Sequence, residues 1–141
     1  MELPIPRELT PLINSGFWPR DGNEANKQNS ESLVPESIIR GFAPEESKIY
    51  FEPPPFATVA NLMKGQGRIF WADPHAAIQE IDPELTLIIG DFGIGSDAPL
   101  ALDYRQDLYE PRVIRLRWAE NGNHWVEIAP NFADFVRHLG R

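Results

Sequence analysis

The sequence predicts an α+β fold, with a central, largely antiparallel sheet and several helices packed around it. Three observations carry this. Residues 99–105, 113–118 and 124–128 each alternate apolar with polar side chains at the period-two spacing of strands. Asn121-Gly122, a common hairpin turn pair, separates the last two runs. Both ends carry helix spacing instead: Ile5, Leu9, Leu12 and Ile13 near the start, and Phe132, Phe135, Val136 and Leu139 near the finish. The chain has 141 residues, the size of one domain, and we read 1–141 as a single unit.

Taken in order, residues 4–14 predict an amphipathic helix that stops at Gly16, with Phe17 and Trp18 as an apolar anchor after it. Residues 20–32 are polar throughout and read as a mobile loop. Residues 33–43 predict a short helix, with Pro35 in its first turn and Gly41 near its end. Residues 48–51 read as a strand, which the prolines 53–55 stop because they lack an amide donor. Residues 56–64 predict a second short helix, 68–71 a strand or extended edge, and 75–81 a helical turn. Residues 85–92 form a near-continuous apolar run, the mark of a strand buried on both faces. The three alternating runs then predict a meander with one wet face. In the final helix, Asn131 is placed to cap and Asp134 lies beside the positive end of the dipole.

Composition removes several function classes. There is no cysteine, so disulfides, thiolate nucleophiles and cysteine-ligated metals are out. No apolar run approaches the ~20 residues of a membrane helix, and the start lacks a basic then apolar leader. The expectation is a cytoplasmic chain that makes no membrane contact. The net charge is −8, and residues 73–110 carry all of it: nine acids against Arg105 alone. Clustered bases are what phosphate-backbone binding needs, so direct nucleic-acid binding is disfavoured. An acidic field attracts basic partners and speeds their encounter. Generic solubility is the plainer reading of the same charge.

The motifs point away from chemistry. Gly93-Ile94-Gly95-Ser96-Asp97-Ala98 satisfies the dinucleotide pattern, but a strand follows it where that fold needs a helix. Gly90, Gly93 and Gly95 are therefore read as scaffold for a tight strand-to-strand turn. Asp91, Asp97 and Asp103 offer oxygen ligands for a hard cation, at a spacing unlike a calcium loop. The alternative is that Asp91 and Asp97 hold turn amides, while Asp103 pairs across strands with Arg115 or Arg117. His75, His124 and His138 have no metal-ligand spacing, and Ser96 lacks the nucleophile-elbow context. No catalytic residue, metal or cofactor is assigned. Four tryptophans are many for this length, and Trp125, alternating with Glu127 on the polar side, is the better interface candidate.

Residues 88–104, IIGDFGIGSDAPLALDY, resemble the SUKH superfamily, with its Ile-Gly strand end, glycine turn with an acid, and strand ending in Leu-Asp. Residues 5–9 through 14–16 are similar to its opening helix, and residues 128–135 to its closing helix with paired phenylalanines. The resemblance implies an α+β fold and a binding role. Bacterial members of that superfamily are taken to be immunity proteins that neutralise polymorphic toxins, nucleases among them. The expectation is thus a non-catalytic protein-binding domain facing a basic toxin. Asp97, Asp103, Asp107 and Glu110 are its steering charges, and Tyr109 or Trp125 its anchors. A regulatory scaffold for a host protein is the second reading, and a small metal-dependent hydrolase using the three aspartates the third.

Overall fold

The computed structural model describes residues 2–65, 68–93 and 97–141, and its fold is α+β. The strands are β1 (Tyr50–Phe51), β2 (Ala57–Thr58), β3 (Thr86–Asp91), β4 (Pro99–Asp103), β5 (Arg112–Arg117) and β6 (His124–Ala129). All pairings are antiparallel, in the order β1-β3-β4-β5-β6, with β2 beside β1 on the same side of β3. The helices are α1 (Leu9–Asn14), α2 (Gly22–Asn26), α3 (Glu36–Phe42), α4 (Val59–Met63), α5 (Arg68–Ala72) and α6 (Phe132–His138).

Apolar side chains leave both faces of the sheet. Leu87 and Ile89 of β3, Leu100 and Leu102 of β4 and Val113 of β5 join one core with Leu9, Leu12, Trp18, Ile39, Phe132 and Phe135. Ile88, Ala101, Ile114 and Trp125 meet Val59, Trp71, Ala76 and Ile81 on the other. The meander therefore has no wet face, which corrects the expectation from alternation. The buried aspartate and arginine on β4 and β5 look like solvent residues in the sequence. Asp103 and Arg115 are both buried, and each is neutralised by a partner of opposite charge.

Several local expectations shift for identifiable reasons. The first helix begins at Leu9 rather than at residue 4, because Pro6 bars the helical region at Ile5. Ile5 is left 46 % exposed. Residues 68–72 are helical, not extended: Trp71 must face Trp125, whose ring it stacks on at 6.2 Å, and packing outweighs strand propensity. The polar segment 20–32 is partly helical rather than a plain loop. Asp21 caps α2 by accepting from the Glu24 amide, and a 3-10 turn (Lys27–Asn29) follows. Within that turn Gln28 is buried, donating from Nε2 to the Phe51 carbonyl at 3.0 Å and accepting the Phe51 amide at 2.8 Å. The closing helix is as expected. Asn131 accepts from the Asp134 amide, and Gly140 ends the turn at φ +81. The β5–β6 hairpin turns through 118–123 with Gly122 at φ +122.

Gly90 is scaffold in a literal sense. A Cβ there would lie 2.6 Å from the Tyr50 carbonyl oxygen, where β1 crosses β3. That oxygen is backbone and cannot swing aside. Gly90→Ala is expected to cost roughly 1–3 kcal/mol or more, read as a lower urea midpoint at unchanged slope. Gly93 lies in the β3–β4 connection, which the Phe92 amide closes by donating to Ala98 at 3.0 Å. Gly95 lies outside the described residues.

Candidate protein-binding cleft

Two chain segments meet beside the β4–β5 end of the sheet. One is the extended stretch before α1, held open by Pro4 and Pro6. The other is the connection 104–111. Between them lies a cleft of about 480 Å³, lined by Pro4, Ile5, Arg7 and Glu8 on one lip and Asp107, Tyr109 and Glu110 on the other.

The connection is shaped by its own residues. Asp107 Oδ1 accepts the amides of Tyr109 at 2.8 Å and Glu110 at 3.0 Å, a local turn typical of aspartate. Leu108 points inward to the main core, which sends its neighbour Tyr109 outward, 77 % exposed. Below the turn, Asp103 ends β4 with 1 % exposure. It accepts from Arg105 Nε and Nη2, each at 3.0 Å, from the Arg105 amide at 3.1 Å, and from Arg112 Nη2 directly across on β5. Burial by itself would raise the Asp103 carboxyl; the guanidinium hydrogen bonds outweigh it and hold the group below the usual aspartate range. The next residue, Tyr104, is buried and donates its hydroxyl to the Pro4 carbonyl at 2.8 Å.

The cleft presents two apolar contact points, Ile5 and Tyr109, ringed by Glu8, Asp107 and Glu110. Among the described residues Arg7 is the only cationic side chain in the lining, and it reaches Glu8 at 3.4 Å. Among them, too, the lining holds no histidine, serine or threonine. What it offers is apolar area within a negative rim.

Of the residues singled out from sequence, Asp107, Tyr109 and Glu110 come together here. Asp103 lies directly beneath but is not a steering charge: it is buried and neutralised by two arginines. Its partners are Arg105 and Arg112, not Arg115 or Arg117; Arg115 turns to Glu45 and lies 5.6 Å over the Phe92 ring. Asp97 is exposed at the opposite end of β4, its carbonyl accepting from Trp118 Nε1 at 2.8 Å. Trp125 is not a free anchor. It stacks on Trp71, donates from Nε1 to Ala76 at 2.9 Å, and gives its amide to Glu80 Oε1 at 2.8 Å. Trp118 is the most exposed of the four tryptophans, 44 % exposed against the His75 ring, because β5 ends at Arg117 and the alternation lapses there. Ile5 and Glu8 were not singled out for the site; the prolines flanking Ile5 are the signal that its segment is extended.

The three aspartates considered as cation ligands do not converge. Asp91 pairs with Pro99 at one end of β4 and Asp103 forms the other end, four strand steps or roughly 13 Å away. Among the described residues no group of three or more histidines, aspartates or glutamates is arranged to hold a metal ion. Among them, too, no helix is long and apolar enough to cross a membrane. No family model matches the chain, and neither a curated protein nor a solved structure matches it.

Proposed function

We propose that the chain is a non-catalytic protein-binding domain, an immunity protein that neutralises a basic toxin through the cleft formed by residues 4–8 and 107–110. The observation that carries this is the cleft itself. It gathers an exposed tyrosine and isoleucine inside a rim of three acids, in a chain of net charge −8. Aromatic anchors within a polar rim are the usual make-up of a protein interface. The acidic rim suits a partner of basic surface, and nuclease domains have one because they bind phosphate. The resemblance of residues 88–104 to the SUKH superfamily supports the same reading.

The direct test is co-expression with the product of the neighbouring gene. A neighbour toxic alone and harmless beside this chain upholds the proposal. No protection, with a housekeeping protein recovered in pull-down, replaces it with the regulatory-scaffold reading. The electrostatic component has its own test. Glu8→Lys with Glu110→Lys reverses the two rim acids that hold no loop amide by their side chains. Association with the toxin should slow by about tenfold at low ionic strength, and its salt dependence should flatten. An unchanged on-rate removes steering from the mechanism.

A further inference from the structure

The cleft is made of two segments that are far apart in sequence and do not belong to one secondary-structure element. Left to themselves, an extended stretch before α1 and an eight-residue connection would each sample many conformations. Asp103, the last residue of β4, and the two residues that follow it touch both. The Asp103 carboxylate receives three hydrogen bonds from Arg105, which begins the connection, and one from Arg112, which closes it. Arg112 is fixed further by Glu127 at 3.3 Å on β6. The Tyr104 hydroxyl reaches the other lip at the Pro4 carbonyl, 2.8 Å away, and the Tyr104 amide is bonded to Leu85 at 2.9 Å. We infer that Asp103, Tyr104 and Arg105 are positioning residues that set the spacing of the two lips and so preorganise the cleft for a cationic side chain of a basic partner.

This rests on the cleft being the contact surface proposed above. The physical point is that both lips are tied to the end of β4 and the two residues that follow it. The Ile5 contact and the Tyr109 contact therefore hold a fixed separation before any partner arrives. Binding then avoids the ordering cost that flexible lips would incur. Burial pushes the Tyr104 hydroxyl above its ordinary value, so it stays a donor across the neutral range. Asp103 and Tyr104 are buried and touch no partner, so they act only through the residues they hold.

Two variants separate this from a general structural role. Tyr104→Phe deletes the tie to Pro4. Arg105→Ala deletes the two guanidinium bonds to Asp103 and leaves the amide bond, while Arg112 keeps Asp103 neutralised. Backbone amide order parameters in the free protein should fall from roughly 0.85 to below about 0.6 at Leu3 and Ile5 in the first variant, and at residues 105–110 in the second. Those of β3 and β4 should stay at the wild-type value. The binding probe is a hexa-arginine peptide at low salt, followed through the Ile5 and Tyr109 amide signals. Its affinity should fall roughly threefold to tenfold in both variants. Order parameters unchanged from wild type at both lips overturn the inference. So does a looser lip with unchanged peptide affinity. A wild-type chain whose Ile5 and Tyr109 signals do not move with the peptide overturns the contact-surface reading instead. The order parameters, which need no ligand, tell those failures apart.

Discussion

Trp18→Ala is expected to cost about 3–5 kcal/mol, the largest effect of any single truncation considered. Trp18 is fully buried between layers of the main core. Its ring stacks on Phe51 of β1 at 4.1 Å and sits 6.2 Å from Phe132 of α6. Its Nε1 donates to the Glu52 carbonyl at 2.8 Å, which fixes the chain just after β1. Truncation opens a cavity between a helix and a two-residue strand and leaves that carbonyl without its donor. The helix is held by β5, β6 and α3 and the strand by β3, so neither is free to collapse into the gap. Trp18→Phe separates the two losses: it keeps most of the stack and should cost about 1–2 kcal/mol, mainly for the lost hydrogen bond. Equilibrium urea unfolding of both variants checks the pair. An alanine variant within about 1 kcal/mol of wild type would mean the site repacks.

Asp103→Ala is expected to cost about 3 kcal/mol, near the lower end for breaking a buried ion pair. The side chain itself is small; the loss comes from what it leaves behind. Arg105 can turn to solvent, but Arg112 is held against the sheet by its position on β5, with the half-exposed Glu127 as its one remaining partner among the described residues. Arg112 Nε is already buried without a hydrogen-bond partner, so it has no reserve to draw on. The pH dependence carries a definite sign. The folded carboxyl titrates below its ordinary value of 3.8, so its contribution is present above that value and lost as the pH falls through the folded one. The stability gap between wild type and Asp103→Asn should thus be flat from about pH 7 to 5 and close below about pH 3.8. A gap that closes near neutrality would show that another group carries it.

The strands and the last helix are legible because apolar period and capping agree there: Leu100, Leu102, Ile114 and Leu116 are where alternation puts buried residues, and Asn131 caps as its neighbours imply. The second face of the sheet is illegible because it is covered by α4, α5 and short 3-10 turns, each too brief to show a period. Alternation also reads Asp103 and Arg115 as solvent residues. Nothing local reveals that a charge will be buried when its partner lies on another strand or in a distant loop, as Glu45 does for Arg115. The cleft was half visible. The acids of 107–110 stand out in the charge count, whereas the opposing lip was hidden by a helix pattern that Pro6 interrupts. Trp125 and Trp118 exchanged roles because strand alternation fails where a turn begins, and turn length is set by tertiary contacts such as that of Asn123 with the His75 carbonyl.

The sheet ends in β1 and β2 on one side and β6 on the other, and side chains take up outward backbone groups on β1 and β6. Gln28 presents its amide group to Phe51 of β1 as a neighbouring strand would, giving one donor and one acceptor. Glu80 takes up the outward amide of Trp125 on β6. Each side chain occupies a place where another molecule could otherwise add a strand, so each acts as a plug against fibril growth. Both plugs come from segments distant in sequence, 23 and 45 residues away. Both plugs precede in sequence the strands they cover, so each is already made when its strand docks into the sheet.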